Sequence, residues 1–153
     1  MITEQGCLAR RAALWQRLPA TIDTALITAR PHLMYFAGFE ASATVFNSQE
    51  SGAALLLTRQ GEAVLIADNV QEPFSRAAFV TERVEPLWYR CVEAAPHRGA
   101  LLAQATAEWL KSRAPAGLAI ERSQVPWGML EDILRRQPGL GMHDLDPELR
   151  ELR

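Results

Sequence analysis

The sequence has very little lysine and no long apolar run, and both scarcities exclude classes of protein. Lys111 is the single lysine among 16 basic residues, which are nearly balanced by 18 acidic residues to a formal net charge of −2. A chain with this balance offers no strongly basic surface to nucleic acid or to an anionic membrane. No apolar run approaches the roughly 20 residues that a membrane span requires. We therefore expect neither a nucleic acid nor a membrane among the partners.

Cysteine is also scarce, which bears on compartment and on metal binding. Cys7 and Cys91 are the only two cysteines, and they are too far apart to suggest a metal-binding pair. The first seven residues are polar and lack the charged and then apolar layout of a signal peptide. Thiols in a chain without an export signal are typically reduced. The sequence therefore predicts a cytoplasmic protein.

The motifs of common catalytic sites are missing as well. No G-x-S-x-G elbow, P-loop or G-x-G-x-x-G sequence occurs in the chain. His143, Asp144 and Asp146 carry side chains that metals bind, but three near neighbours seldom complete a site, and Asp146 is better explained as a helix N-cap. We predict no catalytic and no metal-binding residue in this chain.

An amphipathic helix is predicted at the amino terminus, over Glu4–Leu18. Leu8, Ala12, Trp15 and Leu18 recur at helical spacing and form its apolar side. Arg11 lies within that apolar stripe, so its guanidinium is expected to find a carbonyl or carboxylate partner at the edge of the core.

Beyond this helix, short apolar runs alternate with helical patterns. Strands are predicted at Thr24–Thr28, Gly52–Thr58, Glu62–Ala67, Leu118–Ile120 and Met142–Leu145, and within Phe79–Tyr89. Helices are predicted at Pro31–Phe36, Val70–Ala78 and His97–Arg113, and after Pro126, where Leu130, Ile133 and Leu134 should face inward. The turn Arg59–Gly61 joins two strands into a hairpin. The pattern predicts an α/β fold with a mixed sheet of about five or six strands, a central hairpin and flanking helices.

A helix start stands close to the end of the sequence. Asp146, Pro147 and Glu148 are a favourable N-cap and first turn, yet the sequence stops at Arg153. A helix this short is marginal unless it packs on something else. We therefore predict a domain over residues 1–145, followed at 146–153 by the start of a linker helix that leads to a further domain outside this chain.

Several segments, taken in order, resemble the amino-terminal domain of the creatinase, prolidase and aminopeptidase P family. The most specific is Pro31–Phe39, which corresponds to the family pattern P-N-hydrophobic-x-Y-L-x-G-F. The other matching segments are Arg11–Leu14, Ile22–Thr28, the hairpin Ala53–Asp68, Leu118–Glu121 and Asp146–Arg153. His32 stands where the family has Asn, and Ala119 stands where it has Gly.

The resemblance implies a fold with a ribonuclease H-like motif and an auxiliary role. In that family the chemistry belongs to a second, carboxyl-terminal "pita-bread" domain, which binds two divalent metal ions through Asp, His and Glu side chains. The amino-terminal domain is expected to contribute to homodimer contacts and to the wall of the substrate cleft. This chain would be the non-catalytic domain of an Xaa-Pro dipeptidase-like or aminopeptidase-like metallohydrolase.

Five aromatic or imidazole side chains are the candidates for the cleft or a subunit interface. They are His32, Tyr35, Phe39, Trp88 and Tyr89. His32 could instead be a turn residue, Tyr35 and Phe39 could be packing residues, and for Trp88 we favour the core. The polar segment Glu40–Ser51 is the best candidate for a substrate-facing loop. Arg90 and Arg98 could meet a peptide carboxylate, although solvation at the surface is the expected state.

Two further function hypotheses compete with the auxiliary domain. The chain could be a stand-alone binding or regulatory module without a catalytic partner. It could also be a small enzyme with a site of its own, which would cleave Xaa-Pro dipeptides when manganese is added. The reading frame beyond Arg153 separates the first two hypotheses, and an activity assay tests the third.

Overall fold

The computed structural model describes residues 2–40, 52–92 and 96–152. The helices within these ranges are α1 (Glu4–Arg17), α2 (Arg30–Ala37), α3 (Glu72–Ser75), α4 (Arg98–Arg113), α5 (Trp127–Arg136) and α6 (Asp146–Glu151). The strands are β1 (Thr24–Ile27), β2 (Ala54–Thr58), β3 (Ala63–Ile66), β4 (Glu82–Val84), β5 (Gly117–Ile120) and β6 (Gly141–Asp144). A 3-10 turn at Asn69–Gln71 precedes α3.

The six described strands form one mixed sheet in the order β4-β3-β2-β1-β5-β6. The strand β2 is antiparallel to both of its neighbours, β1 and β3, and the remaining pairs are parallel. Five strands therefore run in one direction and end at the same edge of the sheet, where β2 begins. We call this the carboxyl edge, because the chain leaves five strands there. Ligands of open α/β sheets commonly bind outside such an edge.

Both faces of the sheet are covered. One layer packs α1, α2 and α6 on alternate strand residues such as Ile27, Leu55 and Leu57. The other layer packs α4 and α5 on the residues between them, such as Leu26 and Leu56. The four central strands are buried along their whole length, which explains why their sequences are apolar without alternation. The predicted α/β fold with a central hairpin is confirmed.

The predicted helix over Val70–Ala78 was wrong in detail, whereas a strand does lie within Phe79–Tyr89 as predicted. The expected helix over 70–78 is a 3-10 turn followed by the single turn of α3. The expected strand within 79–89 pairs with β3 only over Glu82–Val84. Both elements lie at the edge of the sheet, where few neighbours extend a local pattern into a longer element.

Some orientations and one cap also differ from the predictions. Leu8 and Leu134 were expected to face the core, but both are exposed because the helices turn narrower faces toward the sheet. Asp146 is not the N-cap of α6; Leu145 occupies that position, and Asp144 Oδ1 accepts the backbone N–H of Asp146. The helix α6 packs on the first core layer through Leu149.

Arg11 has the carbonyl partners that its place in the apolar stripe predicts. The side chain is buried, its Nε donates to Phe36 O at 2.8 Å, and its Nη2 donates to Phe79 O. Burial lowers the pKa of this guanidinium, while Cys7 and Glu4 act in the opposite direction. One cation thus ties α1 to the end of α2 and to the chain that follows α3.

No helix in the described ranges is both long enough and apolar enough to cross a membrane.

Replacing Arg11 with Met should lower the free energy of unfolding by about 2–4 kcal/mol, because two inward-facing carbonyls lose their donor. The loss would be measured by urea denaturation followed by circular dichroism. Arg17 on the same helix is exposed, donates to Ala13 O and lies 3.9 Å from Glu151 Oε2 at the surface, so Arg17→Met is the matched control. A change of less than about 0.5 kcal/mol in both variants would contradict this role of Arg11.

Candidate functional site

A buried carboxylate organises the carboxyl edge of the sheet. Glu121 follows β5 and is completely buried. Its Oε2 accepts the backbone N–H groups of Thr28 at 2.5 Å and Ala29 at 2.8 Å, where the chain leaves β1 and enters α2. The N-cap residue of α2, Ala29, has no side chain that could serve as a cap. Glu121 therefore supplies from another strand the negative charge that a helix amino terminus favours.

His32 is held against the same carboxylate. Its Nδ1 contacts Oε1 of Glu121, and its side chain is only 12% exposed. This contact fixes the plane of the imidazole ring and the first turn of α2. The prediction that His32 lines a cleft remains a prediction, but the structure places the residue at the carboxyl edge.

Two open cavities form a groove on either side of the turn that enters α2. The larger, of about 540 Å³, is lined by residues that include Thr28, Met34 and Phe39. The smaller, of about 240 Å³, lies between α2 and α6 and includes His32 and Arg150. Ala29, Pro31 and Gln124 line both cavities. We call the two together the edge groove.

Tyr35 joins α2 to the last helix. Its hydroxyl donates to Leu152 O at 2.7 Å, and the Arg10 guanidinium lies over its ring at 4.6 Å from the centroid. The ring meets Phe36 edge to face at 5.0 Å between centroids. Tyr35 thus positions the segment through which the chain leaves the sheet.

Phe39 serves both packing and the groove. It is 1% exposed within the first core layer, and it also lines the larger cavity. Gly38 ends α2 in the left-handed conformation (φ 64°), which turns the chain so that Phe39 points back into the protein. Of the predicted loop Glu40–Ser51, only Glu40 lies within the described residues, and it lines the larger cavity beside Gly52.

Trp88 and Tyr89 lie apart from the edge groove, beyond the end of β4. The preference for Trp88 as a core residue is wrong: it is half-buried, and the Arg98 guanidinium stacks on its ring at 4.3 Å. Asn69 Oδ1 accepts the backbone N–H groups of Trp88 at 2.8 Å and of Tyr89 at 3.1 Å. Tyr89 is 44% exposed, so it is accessible beside the half-buried Trp88.

Arg98 is buried rather than solvated as expected. Its Nε and Nη2 donate to the two carboxylate oxygens of Asp68 at 2.6 and 2.9 Å. Gln71 Nε2 donates to the same carboxylate and to Gly52 O, both at 3.0 Å. Asp68 lies two residues beyond the end of β3, so this ion pair joins α4 to the carboxyl edge.

Two residues that organise the carboxyl edge are not singled out by the sequence motifs. Glu121 and Asp68 are acidic residues close behind buried apolar strands, and both end up at the carboxyl edge. An acidic residue in that position predicts a buried carboxylate, because the strand holds it at the covered edge of the sheet. In the sequence, each of the two residues is the last member of a segment that matches a family pattern, and neither segment predicts a buried carboxylate.

The His143 region makes local contacts. His143 Nε2 lies 2.7 Å from Glu148 Oε1, and Asp146 Oδ2 accepts the backbone N–H of Ser123 at 3.0 Å. In the part of the chain that the structure covers, no three or more His, Cys, Asp and Glu side chains are grouped as a metal site would need.

The architecture defines an α/β domain with a mixed sheet and a groove at its carboxyl edge. A profile of the creatinase/prolidase N-terminal domain matches residues 10–153. The chain belongs to this family, as its motifs indicated. A comparison with curated protein sequences gives no match.

Solved structures of such proteins share the fold at low sequence identity. Prolidase from Pyrococcus horikoshii OT3 matches with a TM-score of 0.68 and 16% identity over 95% of this chain and 35% of its own. An Xaa-Pro aminopeptidase structure from Streptococcus pyogenes matches with a TM-score of 0.64 and 19% identity over 99% of this chain and 100% of its own. The creatinase/prolidase N-terminal domain of an X-Pro dipeptidase from the same organism matches with a TM-score of 0.63 and 12% identity over 97% of this chain and 99% of its own. The chain thus spans about a third of the length of the prolidase.

Replacing Glu121 with Gln should lower the free energy of unfolding by about 1–3 kcal/mol, because a neutral amide oxygen is a weaker acceptor than a carboxylate for the N–H groups of Thr28 and Ala29. Chemical denaturation measures the loss, and NMR should show the amide resonances of Thr28 and Ala29 shifting most. Glu131 is exposed on α5, so Glu131→Gln is the control. Equal stability of both variants would show that the buried carboxylate does not organise this edge.

Proposed function

We propose that this chain is the non-catalytic amino-terminal domain of an Xaa-Pro peptidase-like metallohydrolase. The observation that carries the proposal is the family match over residues 10–153, together with a fold that covers 95% of this chain but only 35% of the prolidase. The chemistry would belong to the rest of such an enzyme. This domain would help to form homodimers and to shape the substrate cleft.

The edge groove supports the cleft role. It combines apolar walls such as Phe39 and Leu149 with polar groups from His32, Gln124 and Arg150. A mixed lining of this kind suits a peptide, which presents apolar side chains beside backbone polar groups. The buried contacts of Glu121 hold the groove in one shape, which limits the entropy lost when a substrate binds.

The metal ions of the proposed enzyme are assigned to its catalytic domain. No group of three or more potential ligands occurs among the described residues, which supports this assignment. A hydroxide activated by such a centre would be supplied from across the cleft. We also propose that the enzyme works in the cytoplasm, where free thiols such as those of Cys7 and Cys91 stay reduced.

The 153-residue chain should not hydrolyse Xaa-Pro dipeptides in the presence of manganese, while the product of the complete gene should. The measurement is release of proline with and without a chelator. Metal-dependent turnover by the short chain would contradict the proposal. A stop codon directly after the codon for Arg153 would instead favour the stand-alone binding module.

In the product of the complete gene, Gln124→Trp should lower kcat/KM for Xaa-Pro peptides by about tenfold, because the indole fills both halves of the groove. Gln124 is exposed, so thermal stability should be unchanged. Arg122→Trp is the matched control, since Arg122 is also exposed and is absent from both cavity linings. Equal values of kcat/KM in the two variants would show that the edge groove is not part of the substrate cleft.

A further inference from the structure

The outer edge of β4 is a second feature that the cleft role does not use. The strand β4 ends the sheet on the side opposite β6, and no other described strand pairs with its outer edge. Val84 O and Pro86 O accept the N–H groups of Ala67 at 3.1 Å and Asn69 at 3.2 Å, so the even-numbered residues face the protein. Backbone groups alternate along an extended chain, so those of Arg83 and Glu85 point outward.

An exposed edge of this kind is a template for pairing with another chain, unless something blocks it. Proline is a common block because it lacks an N–H group. Pro86 does not act in that way here, since its carbonyl faces Asn69 and its position therefore belongs to the inward-facing set. Among the described residues, no backbone hydrogen bond uses the outward groups at 83 and 85, so they are available for a regular ladder.

The two outward residues carry opposite charges and lie on the same face of the sheet. Arg83 Nε donates to Ser75 O at 2.7 Å, and Glu85 Oε1 accepts the Ser75 hydroxyl at 2.9 Å. Both side chains therefore lie beside α3. In an antiparallel pair related by a two-fold axis at Val84, Arg83 would stand directly opposite the partner's Glu85, and Glu85 opposite the partner's Arg83. Opposite charges in directly facing positions stabilise a pair of strands.

We propose that the outer edge of β4 binds a second copy of this chain, antiparallel and centred on Val84. The two six-stranded sheets would then join into one continuous sheet across the two-fold axis. The proposal rests on the homodimer role in the proposed function and specifies its surface. Self-complementary charge favours a second copy over an unrelated strand, because every outward charge in the register meets its opposite.

A symmetric disulfide tests the register. In this arrangement Val84 faces the partner's Val84 in a non-hydrogen-bonded position, where Cα atoms are about 4.5 Å apart and within the reach of a disulfide. Val84→Cys should form a disulfide-linked dimer under mild oxidation. The background is Cys91→Ser, because Cys91 is the exposed native thiol. Ser112→Cys in the same background is the control, since Ser112 is exposed on α4.

Charge reversal tests the complementarity. Glu85→Arg places like charges opposite each other at two positions per dimer and should raise the dimer dissociation constant by about tenfold. Sedimentation equilibrium over a concentration series measures this constant for the 153-residue chain. Glu131→Arg makes the same change of charge on α5 and should leave the constant unchanged. Circular dichroism confirms that each variant is folded.

The outcomes separate the two proposals. A dimer that Glu85→Arg weakens and Val84→Cys traps supports the β4 interface. A dimer that neither change affects overturns this interface, while the homodimer role stands. A chain that stays monomeric at every concentration also overturns the interface, whereas the cleft role is tested independently through Gln124.

Discussion

The arrangement of the carboxyl edge depends on one buried carboxylate. Glu121 extends from the end of β5 and accepts two backbone N–H groups from the turn between β1 and α2. A buried carboxylate without partners would cost several kcal/mol, so these contacts must be kept whenever the domain is folded. The same carboxylate fixes His32 and, through the start of α2, the wall between the two halves of the edge groove.

Other buried cations and carboxylates connect the periphery to this edge. Arg11 links α1 to the ends of α2 and the α3 region through carbonyl groups, and Arg98 links α4 to Asp68. A protein with a single lysine makes these connections with arginine, whose planar group can bond to two acceptors at once. The core layers hold the sheet, and these polar contacts set where its surrounding helices lie.

The sequence predicted the central part of the fold better than its borders. Continuous apolar runs at β1, β2, β3 and β5 predicted strands that are buried on both faces, because an apolar side chain on either face must pack against another element. At the sheet edge the pattern was weaker, and β4 occupies only Glu82–Val84 of the segment in which a strand was predicted. Leu8 and Leu134 were misplaced because periodicity gives a helix face but not how much of that face the sheet covers.

The candidate site was predictable only in part. The motif around Pro31 led to His32 and Phe39, which line the edge groove, but Glu121 and Arg98 owe their roles to partners 89 and 30 residues away in sequence. Local patterns carry no information about such pairs. The core was the favoured place for Trp88, whereas the buried Arg98 provides it with a half-exposed stacking position.

The most direct test of the claim that the edge groove forms part of a substrate cleft is a crystal structure of the proposed two-domain enzyme with an Xaa-Pro ligand bound. The account predicts that the edge groove, with His32 and Gln124, faces the metal centre across the substrate cleft. A structure in which the groove faces away from the metal centre, toward bulk solvent, would contradict the account.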